Sequence, residues 1–209
     1  MSQPLSAGAR WRKFGYFLGP RREIRGLELR VLLPDKDELA TALTKVQEAL
    51  DLISTYDPRR SRRLHRDLRR IWVGATPHRG EYDSELDMCV LQFQYVVSPE
   101  TSPARLALTI VHEAMHARLA RSGIGYSEAL RARVERMCIA AEIDFADRLP
   151  GGAPLAQAAR QRLAFDAAYF TDSATQARSH ELLKGLGWPG RIGSGIMRFL
   201  LWLDRRRAA

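Results

Sequence analysis

The sequence predicts an α+β domain, mostly helical, in which a small sheet precedes an antiparallel helical hairpin. Three patterns predict it. Leu27, Leu29, Val31 and Leu33 alternate, as the inward residues of a half-buried strand do. Leu39, Leu43, Val46, Leu50 and Ile53 recur at helical spacing. Two further helical stretches flank Ser122-Gly123-Ile124-Gly125-Tyr126, a glycine-rich turn.

Taken in order, residues 1–25 are polar, basic and aromatic, and an irregular, loosely attached segment is expected there. Leu27 to Leu33 is the first strand. Pro34-Asp35 ends it, and Asp35 or Asp37 caps a helix to about Thr55. Asp57-Pro58 starts a second helix. Ile71-Trp72-Val73 reads as a strand, Thr76 to Glu85 as a loop, and Met88 to Val97 as a strongly apolar strand. Ser102-Pro103 leads into a helix that should end near Arg121, and Ser127 with Glu128 opens another towards Leu149. Pro150-Gly151-Gly152-Ala153-Pro154 breaks the chain. Residues 151–209 then read as a C-terminal helical subdomain packed on the core. Its last segment carries Ile192, Ile196, Phe199, Leu200 and Leu203 as an apolar stripe, more often a docked terminal helix than a membrane-surface one.

Composition frames the possibilities. The chain has 209 residues, 45% of them hydrophobic and 27% charged, as in an ordinary globular protein. Two cysteines, Cys89 and Cys138, make no disulfide framework. The apolar run from Phe14 to Leu18 is too short for a signal peptide, and no segment approaches membrane-spanning length. A reducing cytoplasm is the expected compartment. The net charge is +9, and 29 of the 33 basic residues are arginine. Seven crowd one segment: Arg59, Arg60, Arg62, Arg63, Arg66, Arg69 and Arg70. Leu64, Leu68 and Ile71 supply its apolar seam. A solvated face is the plain reading, and a surface for an acidic partner the sharper one. Neither aromatic interleaving nor a DNA-binding motif accompanies it, which weighs against nucleic acid.

The residues that carry chemistry are His112-Glu113-Ala114-Met115-His116. Histidines four apart on a helix project from one face, where their imidazoles can take two corners of a zinc tetrahedron. Glu113 can then act as general base on a water. Thr109, Ala114, Met115 and Ala117 keep the flanks uncharged, while Arg118 departs from that pattern. Hairpin geometry locates a third ligand. If the two helices are antiparallel about residue 124, the midpoint of the histidines lies level with residue 134, and Glu135 is the nearest acid. Glu142 falls level with Leu106, roughly 9–12 Å along the axis from the histidines. Cys138, one turn from Glu135, reads as a buried thiol before it reads as a ligand.

Eighteen residues separate His116 from Glu135. The motif, that spacing and a glutamate resemble the gluzincins, the zinc peptidases that include thermolysin and the neutral aminopeptidases. The resemblance covers about residues 88 to 148. It implies His112, His116 and Glu135 as ligands of one zinc per chain, with Glu113 as the catalytic base. It makes residues 26–150 a zincin-like catalytic core. Many gluzincins place an acid four residues beyond the ligand glutamate to buttress a histidine. That position is Ile139 here, so Glu142 is the candidate for the role. The resemblance also implies a strand edge beside the active helix, for which Met88 to Val97 is the candidate. It further implies a tyrosine or histidine to stabilise an oxyanion: Tyr169 or His180, with Tyr126 a third choice.

The expected function is that of a zinc metallopeptidase acting on a peptide or protein. The alternatives are a non-catalytic zinc-binding protein and a basic adaptor for an acidic partner, nucleic acid or a membrane surface.

Overall fold

A computed structural model describes residues 7–32, 34–74 and 76–171, together with 174 and 177. It is an α+β domain built on one five-stranded sheet. The strands are β1 (Arg21–Ile24), β2 (Leu27–Val31), β3 (Arg70–Gly74), β4 (Gly80–Asp83) and β5 (Met88–Gln92). Their order across the sheet is β1-β2-β3-β5-β4. The inner three are parallel, and each outer strand is an antiparallel hairpin partner of its neighbour. The β1–β2 hairpin turns on Arg25 and Gly26, both at positive φ (51° and 79°), as a two-residue turn matched to strand twist requires.

The helices are α1 (Ala7–Leu18), α2 (Lys36–Tyr56), α3 (Pro58–Asp67), the single turn α4 (Phe93–Val97), α5 (Pro103–Arg121), α6 (Glu128–Ala146) and α7 (Ala153–Leu163). A short 3₁₀ turn spans Ala167–Phe170. Asp35 caps α2 in a reciprocal box: its carboxylate accepts from Glu38 N at 2.8 Å, and Glu38 accepts from Asp35 N at 3.1 Å.

Each sheet face has its own cover. Leu29, Val31, Ile71, Val73, Cys89 and Leu91 join the main core with α2 and α5. Trp72, Met88 and Val90 point the other way and pack with Tyr16 of α1. The sheet is therefore buried on both sides at its centre, which suits parallel strands.

Three expectations need correction. Within the segment 1–25, the described residues 7–25 are not an irregular appendage: α1 and β1 belong to the fold, because the Trp72 face needs a cover and β2 needs a partner. Met88 to Val97 is not one strand. β5 stops at Gln92, and the β-prone residues beyond it wind into α4, where buried Tyr95 and Val96 join the main core. β5 is also internal to the sheet. The edge strand is β4, within the segment read as a loop. Of the C-terminal subdomain, α7 packs on α6 through Ala156 and Ala159. The apolar stripe near residue 200 lies outside the described residues. Among the described residues, no helix is long and apolar enough to cross a membrane.

Buried Asp57 joins α2 to α3. Its N–H closes α2 on Ile53 O, and its carboxylate caps α3 by accepting from Arg60 N at 2.9 Å and Arg60 Nε at 3.0 Å. Burial pushes this carboxyl up. The hydrogen bonds from Arg60 and the charges of Arg60 and Arg148 outweigh burial and hold it below its usual value. A depressed carboxyl stabilises the fold above its unfolded pKa, about 3.9, and loses that contribution as pH falls through the folded value. Asp57→Ala should therefore cost about 1–2 kcal/mol in urea unfolding at neutral pH. The gap to wild type should narrow below about pH 4.

Candidate metal centre

The centre lies between α5 and α6. Ser102 opens α5 by accepting from Arg105 N at 3.2 Å, and Pro103 takes the first helical position, where its missing N–H costs nothing. Buried residues surround most of α5, so only a strip that includes Arg105, Thr109, His112 and His116 faces a cleft of about 1130 Å³. β4 and the loop before it form one wall. α6, α7 and the 3₁₀ turn form the other.

Three donors converge there. His112 Nε2 and His116 Nε2 are 3.1 Å apart. Glu135 Oε2 lies 3.3 Å from the first and Oε1 3.5 Å from the second. Ligands about 2.0–2.1 Å from a tetrahedral zinc are about 3.3 Å from one another, so the spacing of these atoms fits that ion. His112 Nδ1 donates to Glu142 Oε1 at 2.6 Å. A neutral imidazole held in this way presents the lone pair of Nε2 to the same point as the other donors. Glu142 is buried (5% exposed) and also accepts from Arg162.

The Cys138 sulfur belongs to the same cluster. It and the two imidazoles have donor atoms within 4.8 Å of one another. Burial first, then the carboxylates of Glu135, Glu113 and Glu142, push this thiol up. A metal takes the thiolate, so Glu135, in contact with both imidazoles, is the better third donor. Burial also pushes the Glu135 carboxyl up. Its hydrogen bonds to His112 and His116 outweigh that and hold it well below the carboxylate range. For His112, burial works downward, and the bonds to Glu135 and Glu142 hold it well above its ordinary value.

Glu113 is 5% exposed and turns towards β4. A Cβ on Gly80 would come within 2.8 Å of Glu113 Oε1 and 2.6 Å of Thr109 Cγ2. Only glycine lets the edge strand approach α5 this closely. Burial raises the Glu113 carboxyl against the opposing pull of His112 and His116.

The structure thus brings His112, Glu113, His116, Glu135 and Glu142 together. It shortens one expected distance sharply: Glu142 touches His112, although its position along the hairpin axis put it far away. Helical side chains lean towards their own N-terminus, and in an antiparallel pair these two lean towards each other. Tyr169 lines the cleft beside Phe165, with ring centroids 4.2 Å apart. His180 lies outside the described residues. Tyr126, the third choice from the sequence, touches two of the donor residues. Its hydroxyl donates to Glu135 Oε1, and its ring stands edge-on to His116 at 5.1 Å. The guanidinium of Arg131 lies over that ring, 4.3 Å from its centroid. Sequence reasoning gave no role at the centre to Gly80 or Arg162.

Compared with protein-family models, curated proteins and solved structures, the chain matches none.

The two candidate third donors separate by zinc titration against a chromophoric chelator. Glu135→Ala should weaken binding by at least about 100-fold, and Glu142→Ala by about 10–100-fold through loss of the His112 buttress. Cys138→Ser should bind as wild type does. The reverse order for Glu135 and Cys138 would make the thiol the ligand.

Proposed function

We propose that this protein is a zinc-dependent hydrolase that cleaves peptide bonds. The observation that carries the reading is the approach of two imidazole nitrogens, His112 Nε2 and His116 Nε2, 3.1 Å apart, to the Glu135 carboxylate, whose Oε2 lies 3.3 Å from the first and Oε1 3.5 Å from the second, beside a buried carboxyl on the next residue after His112. That arrangement supports the resemblance to gluzincin peptidases. The ion would be held by His112, His116 and Glu135. Bound zinc would supply Lewis acidity, lowering the pKa of a water and polarising a carbonyl.

The chain's own groups do the rest. Glu113 takes the proton of the attacking water on its carboxylate and returns it to the leaving amine. Its burial suits this, because a carboxyl raised towards neutrality both accepts and gives up a proton readily. Glu142 fixes the tautomer and tilt of His112, and Tyr126 fixes Glu135. Tyr169 supplies the hydroxyl on the α7 side of the cleft for a developing oxyanion. β4 is the last strand of its sheet, so an extended substrate can add to its open edge beside Glu113. The two free, buried cysteines support a reducing compartment such as the cytoplasm.

Glu113→Gln is the direct test, because Glu113 holds no metal in this scheme. The variant should keep about one zinc per chain and lose about 10²–10⁴-fold in cleavage of a mixed peptide library. Equal cleavage by wild type and variant would trace the activity to a contaminant. A zinc-loaded wild type that cleaves nothing would overturn the hydrolase reading in favour of a binding role.

A further inference from the structure

Four arginines line the cleft, and they differ in what they touch. Arg131 pairs with Glu128 at 3.0 Å and covers Tyr126. Arg162 pairs with Glu142. Arg79 and Arg105 have no carboxylate within ion-pair distance among the described residues, and both are exposed. Both border Tyr95, Arg79 through its side chain and Arg105 through its backbone carbonyl. The guanidinium of Arg79 lies over the Tyr95 ring, 5.7 Å from its centroid. The Tyr95 hydroxyl contacts Arg105 O at 3.4 Å and Thr109 Oγ1 at 3.0 Å. Both arginine charges act on that hydroxyl. Arg105 and His112 lie seven residues apart on the same strip of α5, so the pair sits about 10 Å from the donors along the helix axis. Arg79 directly precedes the edge strand β4. Tyr95 anchors the pair from below, because α4 buries it to 8% exposure.

Two unpaired guanidinium groups at one end of a cleft, on the walls an extended chain would run between, are a receptor for an anion. We infer that Arg79 and Arg105 bind a carboxylate of the peptide substrate, roughly three to four residues from the bond that is cut. This rests on the peptidase reading of the centre and adds to it a substrate class: acidic peptides, or peptides held by their C-terminal carboxylate. The glutamates lining the cleft do not compete for this role. Glu81 pairs with Arg12, Glu142 with Arg162, and Glu113 and Glu135 belong to the centre.

The test separates binding from turnover. Zinc-loaded Glu113→Gln protein is titrated with fluorescent peptides of equal length, read by anisotropy. One is neutral and amidated, one is amidated with internal glutamates, and one is neutral with a free C-terminus. At least one of the two carboxylate-bearing peptides should bind about tenfold more tightly than the neutral amide, and which one does identifies the carboxylate. Arg79→Ala and Arg105→Ala, checked for fold by circular dichroism, should each erase most of that preference, and lysine at either position should restore part of it. Arg62→Ala/Arg63→Ala, on the outer face of α3, should leave it unchanged. Three results would overturn the inference: all peptides binding alike, no peptide binding, or the α3 variant erasing the preference as fully as the cleft variants do. If the preference is found but wild type cuts none of the peptides, the carboxylate site stands and the peptidase reading falls.

Discussion

Everything about the centre follows from holding two buried carboxylates, Glu113 and Glu142, and a half-buried one, Glu135, around two imidazoles at one helix interface. Charge removed from water is tolerated only where something of opposite sign stands close by. Arg162 serves Glu142 from one side and His112 from the other. Glu135 faces both imidazoles and receives the Tyr126 hydroxyl. Glu113 has only the more distant pull of the imidazoles against its burial, and its carboxyl rises while that of Glu135 falls. Two glutamates of one centre are thus driven in opposite directions by their surroundings. Under the proposed hydrolase function, Glu135 would serve as the fixed negative donor and Glu113 as the group that exchanges a proton.

Much of this was legible in the chain. The four-residue spacing of His112 and His116 follows from helical periodicity, which tertiary context rarely changes. Glu135 was reachable because the turn at 122–126 fixes a hairpin, and a hairpin fixes level. Asp35 was readable as a cap because the chemistry of a helix start is local. What failed was what long-range contact decides. β4 is four residues of mixed polarity, and only its ladder with β5 makes it a strand. Phe93 to Val97 has strand-forming residues, yet burial of Tyr95 and Val96 beneath α2 and α5 makes a helical turn the better fit. The link from Glu142 to His112 was underestimated because distance along an axis ignores the lean of long side chains.

The N-terminal segment shows how far the centre's supports reach. α1 first covers Trp72, Met88 and Val90, the sheet face away from α5. From there Arg12 reaches the edge strand: it pairs with Glu81 and lies 3.0 Å from Asp83 Oδ2. Asp83 is itself buried, and its second oxygen closes the turn after β4 by accepting from Glu85 N and Leu86 N, both at 3.0 Å. Thr76 Oγ1 donates to Glu81 at 3.0 Å and ties down the loop before the strand. An edge strand this short gains little from its own ladder, and these side-chain bonds fix its position instead. That position matters because Gly80 lies against Glu113, so a strand that drifted outward would open a gap between β4 and the Glu113 carboxyl. The helix that shields the far side of the sheet is in this way also part of the cleft's wall.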